Sequence, residues 1–80
     1  MKAIVNVFLK NGVLDSQGKA VQHALTGHGF ASVNDVRVGK QIIIEMNESD
    51  AVSAKAKVAQ MCEDLLANTV IEDYHIEIQA

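Results

Sequence analysis

The chain has 80 residues, a length that corresponds to one small domain spanning residues 1–80. Its 7 Lys and Arg against 10 Asp and Glu give a net charge of −3, and only 4% of its residues are aromatic. This composition disfavours nucleic-acid binding, because phosphates need clustered cations and unpaired bases need aromatic rings. An apolar content of 49% disfavours disorder, and apolar runs of at most three residues predict no membrane span. The single cysteine fits a reducing compartment, so we expect a soluble, cytoplasmic α+β domain.

The first part of the chain predicts a strand, a turn and a helix. Alternating apolar residues predict a strand over residues 3–9, and Asn11–Gly12 predicts a turn after it. Asp15 or Ser16 can then cap a helix over about residues 16–27. The apolar stripe expected on this helix consists of Ala20, Val21, Ala24 and Leu25.

The middle of the chain predicts two further strands, over residues 33–38 and 41–46. Between them, Gly39–Lys40 has the form of a two-residue hairpin loop, in which glycine adopts a positive φ at little cost. A single long bent strand is the alternative interpretation of the same residues.

The last part of the chain predicts a helix over about residues 51–67 and a final strand over 70–78. Ser49 or Asp50 can cap the helix, and Asn68 can end it in the left-handed conformation. The buried stripe expected on this helix consists of Ala51, Ala54, Val58, Met61, Cys62 and Leu65.

The predicted order is therefore β-α-β-β-α-β. Short connections and right-handed crossovers favour an antiparallel sheet with both helices on one face, which is a ferredoxin-like outline. The other face would be open to water, yet it carries the large apolar residues Ile4, Phe8 and Ile43. Burying such side chains contributes roughly 1.5–3 kcal/mol each, so we expect a second copy to cover this face in a homodimer or tetramer. Scattered surface apolar residues, which are common, are the alternative interpretation.

No combination of residues in the sequence predicts catalysis by this chain alone. Cys62 lies on the apolar stripe of the second helix, where a thiol is buried and unreactive. His23 and His28 are five positions apart, so their side chains diverge by about 140° on a helix. His75 and Glu77 share a strand face, where an exposed polar pair is a better interpretation than a metal site. We therefore predict no catalytic residue, no metal ligand and no cofactor-binding residue.

Three segments carry a resemblance to a known family. They are residues 13–25 (VLDSQGKAVQHAL), 36–40 (VRVGK) and 61–74 (MCEDLLANTVIEDY). The chain resembles PurS, the small subunit of phosphoribosylformylglycinamidine (FGAM) synthase in purine biosynthesis. The family pattern VLDPQG-x-AV-x-x-AL, VR-x-GK and MC-x-x-LLAN-x-VIEDY is matched in order and spacing. Ser16 is the one clear departure, because the family usually has proline there, and both residues suit the start of a helix.

The resemblance implies a subunit of an ATP-dependent amidoligase that is not itself the catalyst. The reaction converts formylglycinamide ribonucleotide (FGAR), glutamine, ATP and water into FGAM, glutamate, ADP and phosphate. The family places ATP, Mg²⁺ and FGAR on a large synthetase subunit and ammonia release on a glutaminase subunit. PurS bridges the two subunits and assists the transfer of ammonia, which would protonate and escape if water reached it.

The resemblance also nominates residues for contact with partner subunits. Family positions expected to be exposed are Arg37, Lys40, Asn68, Glu72 and Asp73. Arg37 and Lys40 are the first candidates, because an interfacial cation can bind a carboxylate of the partner. A small amino-acid-sensing regulatory module with the same order of elements is the alternative function, because fold alone does not decide between the two.

Overall fold

A computed structural model of the chain describes residues 1–79. In chain order the elements are β1 (Lys2–Leu9), α1 (Ser16–Gly27), β2 (Lys40–Glu45), α2 (Ala51–Met61), a π-helical turn (Cys62–Leu66) that continues α2, and β3 (Glu72–Gln79). The strands form an antiparallel sheet in the order β2-β1-β3, with β1 in the centre. The α+β class, the antiparallel sheet and the ferredoxin-like outline with two helices are confirmed.

The core lies between the sheet and α2. Every second residue of β1 points to this side, and Ala3, Val5 and Val7 are almost completely buried. From α2 and its continuation, Ala54, Val58 and Cys62 lie on the same layer, at successive spacings of four residues. Alternate residues of β2 and β3 complete the layer as half-buried side chains, namely Ile42, Ile44, Tyr74, Ile76 and Ile78.

The predicted strand over residues 33–38 does not form, and the predicted hairpin at Gly39–Lys40 is wrong. Residues 33–39, named here the connecting segment, have no regular secondary structure and lead directly into β2. Their backbone groups bind side chains instead of a strand: Val38 donates its N–H to Asp15, and Asn34 accepts from Gln22. Gly39 has no positive φ, and it is needed for another reason. A Cβ on Gly39 would lie 2.7 Å from the carbonyl oxygen of Val7.

The first helix forms where it was predicted, but it does not pack on the sheet. Asp15 caps α1 by accepting a hydrogen bond from Gly18 N–H, as the sequence indicated. Within residues 1–79, however, α1 makes hardly any contact with the strands or with α2. The chain is therefore elongated, with extents of 49 × 26 × 14 Å and a radius of gyration of 16.0 Å. A compact chain of this length would have a radius of about 12 Å.

The second helix ends differently from the prediction. Ala67 donates its N–H to the carbonyl of Cys62, five residues back, so the last turn is wider than an α-helical turn. The wide turn rotates Leu65 out to 83% exposure, although it was predicted to be buried, and leaves Leu66 half-buried. Asn68 does not adopt the left-handed conformation, because no residue other than glycine among the described ones has a positive φ. None of the helices in residues 1–79 is long and apolar enough to cross a membrane.

Candidate interaction surface

The residues nominated for partner contacts meet at one end of the sheet, where β1 ends and both β2 and β3 begin. Two clefts lie there, and Phe8, which is 43% exposed, lines both. One has a volume of about 270 Å³ and also contains Leu9, Asn11, Arg37 and Asp73. The other, of about 140 Å³, includes Lys40 and Glu72. We call this region the sheet-end surface.

Arg37 is engaged within the chain rather than free to reach a partner. Its Nη2 atom donates to the carbonyl oxygens of Leu9 at 2.7 Å and of Lys10 at 3.2 Å. Its Nε atom lies 3.9 Å from the carboxylate of Asp15. The guanidinium therefore ties the connecting segment to the end of β1, using the several donors that distinguish arginine from lysine.

Lys40 differs from Arg37 in its surroundings. It is exposed at the first position of β2, and it forms no ion pair with any residue of the described chain. The neighbouring carboxylate of Asp73 is paired with Lys10, at 3.6 Å. Lys40 is thus the cation of the sheet-end surface that is available to an acidic group of a partner.

Asn68 and Glu72 belong to the same region but are occupied by local hydrogen bonds. The backbone N–H of Asn68 donates to Glu72 Oε1 at 2.7 Å, and its side-chain oxygen accepts from Val70 N–H at 3.3 Å. These bonds shape the turn from α2 into β3. Asn68 therefore supports the loop, whereas Val70, at 83% exposure, is its protruding side chain.

The apolar residues predicted on the open face of the sheet do lie on that face. Ile4 and Ile43 are directly opposite each other on β1 and β2, and Ile43 is 56% exposed. Phe8 follows on the same face of β1, opposite Asp73 of β3. The open face thus joins the sheet-end surface at Phe8.

Asp15 does more than cap α1, which is the only role that the sequence indicated, because it also binds the connecting segment. Its side chain is 8% exposed, and it accepts hydrogen bonds from Gly18 N–H and Val38 N–H, both at 2.8 Å. The hydrogen bond from Val38 is the main reason that the pKa of Asp15 is below its usual range, followed by the bond from Gly18. Burial opposes this shift, and the charge of Arg37 favours it. The sequence indicated only the helix cap, because nothing local marks Val38 as a second donor.

The burial predicted for the sole thiol is confirmed. Cys62 is fully buried in the core, and burial, followed by the charge of Glu63, raises the pKa of its thiol. Nearby, Tyr74 donates its hydroxyl to Glu63 at 2.8 Å, and this bond raises the pKa of Tyr74. Within residues 1–79 no group of three or more His, Cys, Asp or Glu side chains could hold a metal ion.

Comparison with known proteins identifies the family. The family model PurS, described as phosphoribosylformylglycinamidine (FGAM) synthase, matches residues 2–80. The chain belongs to the PurS family. The PurS subunit of Bacillus subtilis (strain 168) is 50% identical over 78 residues, which cover 98% of this chain and 92% of that protein. The PurS subunit of Methanocaldococcus jannaschii is 42% identical, with 98% and 94% covered.

Solved structures agree with this assignment. The PurS structure from B. subtilis has a TM-score of 0.88 at 49% identity and covers 99% of this chain and 98% of that chain. A structure described as PurLQS from Thermotoga maritima has a TM-score of 0.86 at 29% identity, with 95% and 93% covered. As a PurS protein, the chain is a subunit of FGAM synthase (EC 6.3.5.3), an enzyme of purine biosynthesis.

Proposed function

We propose that this chain is the non-catalytic subunit that bridges the synthetase and glutaminase subunits of FGAM synthase and assists the transfer of ammonia between them. The observation that carries the proposal is the near full-length likeness to the chain in the T. maritima PurLQS structure. The sheet-end surface supports it, because apolar Phe8 and Lys40, which has no ion-pair partner within residues 1–79, line the same cleft. Such a mixture is typical of the surfaces by which subunits associate.

The same proposal assigns cofactor binding and glutamine cleavage to the other subunits. ATP and Mg²⁺ are bound by the large synthetase subunit, and this chain binds no cofactor of its own. The buried thiol of Cys62, whose raised pKa disfavours the thiolate, supports a role in assembly rather than in glutamine cleavage.

The proposal includes self-association into a dimer or tetramer. The apolar stripe of α1 is uncovered in the single chain: Val21 is 42% exposed, and Ala20 and Ala24 are exposed as well. Phe30, just after the helix, is 57% exposed. A second copy that covers this helix, together with the open sheet face that carries Ile4, Phe8 and Ile43, stabilises the elongated chain. Sedimentation that finds only monomer at micromolar concentration would contradict this part of the proposal.

We also propose a cytoplasmic location. The only cysteine is a free, buried thiol, and reduced thiols of this kind are usual in the reducing interior of cells. Fractionation of the source cells, with this chain detected by antibody, tests the location.

The function is tested by FGAM synthesis with the purified synthetase and glutaminase subunits of the same organism, with and without this chain. Glutamine and ammonium are compared as nitrogen sources. We expect omission to abolish the glutamine-dependent reaction and to leave the ammonium-dependent reaction largely intact. Equal rates with and without the chain, from both nitrogen sources, would show that it does not couple the two sites.

A further inference from the structure

Within residues 1–79, no strand pairs with the outer edge of β3. In the described part of the chain, β3 pairs with β1 only, so its other edge faces no strand. Alternate backbone N–H and C=O groups along Glu72–Gln79 therefore point away from the sheet. Unpaired groups of this kind are a template for another strand.

Proline, lysine and bulges, which blunt many sheet edges, are missing from β3, and charge protects it only through the acidic residues of its sequence. Its sequence, EDYHIEIQ, contains neither proline nor lysine. Its pairing with β1 runs one-to-one from Lys2 opposite Gln79 to Leu9 opposite Glu72, so no bulge twists the edge away. The strand is thus long, regular and open to pairing.

The two faces of β3 define what an added strand must look like. Tyr74, Ile76 and Ile78 lie on the core side and pack against the core as half-buried side chains. On the open face, Asp73, His75 and Glu77 are exposed. A strand that continues the sheet therefore needs apolar side chains at alternate positions, where it extends the core layer, and polar side chains between them.

The charges on the open face of β3 indicate which polar side chains an added strand should carry. Asp73 is offset by Lys10, but Glu77 lies opposite Ile4 and has no ion-pair partner within residues 1–79. The nearby cation, Lys2, is paired with Glu45 at 3.9 Å. Opposite charges on neighbouring strands stabilise pairing, so a basic residue is favoured beside Glu77.

A second copy of β3 is a poor occupant of this edge. Antiparallel pairing of two copies with their open faces on the same side would put the carboxylates of Asp73 and Glu77 from both strands into one row. Such a row is repulsive at neutral pH, because like charges on neighbouring strands destabilise a sheet. The acidic row thus discourages self-pairing at this edge and favours a partner of opposite charge.

We propose that the free edge of β3 receives an extended segment of another FGAM synthase subunit, with apolar and basic residues alternating, as a fourth strand of the sheet. The inference rests on the proposed function only in assigning the partner to that complex. Main-chain hydrogen bonds supply affinity in this mode of recognition, and the alternating side chains supply specificity.

Hydrogen exchange of the free chain and of the complex with the synthetase and glutaminase subunits tests the inference. Alternate amides of residues 73–79, those that point outward, exchange rapidly in the free chain and are protected in the complex. Glu77→Lys weakens association with the other subunits roughly three- to tenfold, with a smaller effect at high salt. The control is Glu45→Lys, which makes the same charge change at the opposite edge of the same face; it loses the ion pair with Lys2, and it leaves association unchanged.

Each other outcome overturns the inference. Outward amides that are already protected in the free, self-associated chain would show that a second copy occupies the edge. Amides that remain exposed in a complex active with glutamine would remove β3 from the interface while the proposed function stands. A chain that neither joins the other subunits nor supports the glutamine-dependent reaction would refute both.

Discussion

The carboxylate of Asp15 accepts a 2.8 Å hydrogen bond from the backbone N–H of Val38, 23 positions further along the chain. Its other oxygen accepts from Gly18 N–H at the start of α1. One buried side chain therefore caps the helix and fastens the connecting segment to it. Because α1 has so little contact with the sheet, this link and the Arg37 contacts position the helix relative to β2.

Replacing Asp15 with alanine should destabilise the protein more than the equivalent change at the other helix cap. Asp15→Ala leaves two backbone N–H groups without their acceptor, one of them in the connecting segment. We expect Tm to fall by about 5 °C or more. Asp50→Ala is the matched control, because Asp50 caps α2 from an exposed position through bonds of 3.3 Å and binds nothing beyond its own helix. Equal losses of Tm in the two variants would contradict the role given to Asp15.

The same carboxylate should make stability depend on pH in the acid range. The pKa of Asp15 is lower in the folded protein than its reference value of 3.8, so the unfolded chain binds a proton more readily. Stability from this group is complete above the unfolded pKa and is lost as pH falls through the lower, folded pKa. We expect urea midpoints measured between pH 6 and about pH 2 to decline below about pH 4. Asp15→Asn should decline less steeply, and a curve parallel to that of the unchanged chain would assign the acid loss to other carboxylates.

A glycine on α1 is required by a close approach between segments. A Cβ on Gly18 would lie 2.2 Å from the carbonyl oxygen of Val36, a backbone atom that cannot move without shifting the connecting segment. Gly18→Ala should therefore reduce the free energy of unfolding by about 1–3 kcal/mol, as measured by urea denaturation. Gly27→Ala on the same helix meets nothing within 4 Å, and it should be neutral or stabilise by up to about 1 kcal/mol. A neutral Gly18→Ala would mean that the helix and the connecting segment separate easily in solution.

Much of the fold could be predicted from local pattern, and the errors have a common physical cause. The period-two burial of β1 and the Asp15 and Asp50 caps depend on neighbouring residues, and all three are confirmed. The strand predicted over residues 33–38 does not form. Its backbone groups bind two side chains that are distant in sequence, those of Asp15 and Gln22. The burial predicted for Leu65 is wrong because the i+5 hydrogen bonding of the last turn changes the helical phase, which the spacing of apolar residues does not reveal.

The sequence predicted which residues belong to the candidate surface, but not what each of them does there. The resemblance nominated Arg37 and Lys40 together, since both are cations in one short motif. The structure separates them: Arg37 donates to the carbonyls of Leu9 and Lys10, whereas Lys40 has no such partner in the described chain. The carbonyls that bind Arg37 lie on another strand end, 28 and 27 positions away, so no local signal distinguishes the two cations.

The thiol of Cys62 should be protected from modification in the folded state. It is fully buried, and its pKa is raised above 9.0, the ordinary value, so little thiolate is present at pH 8. We expect a disulfide reagent such as DTNB to label the native chain at least about 100-fold more slowly than the chain in 6 M guanidinium, because reaction requires opening of the core. Rapid labelling of the native chain would mean that the π-helical turn opens readily.

Alanine substitutions of Arg37 and of Lys40 should have different effects, the first on stability and the second on association with the other subunits. Arg37→Ala removes the donor that ties the connecting segment to β1, so we expect a lower Tm and faster hydrogen exchange over residues 33–39. Lys40→Ala should change the free energy of unfolding by no more than about 0.5 kcal/mol, while weakening co-elution with the synthetase and glutaminase subunits severalfold. Arg37→Lys should restore little of the lost stability, because a single ammonium nitrogen cannot bind the carbonyls of Leu9 and Lys10 and also lie beside the Asp15 carboxylate, as Nη2 and Nε do. Unchanged co-elution of the Lys40→Ala chain would remove that residue from the interface and leave Phe8 as the contact to test next on the sheet-end surface.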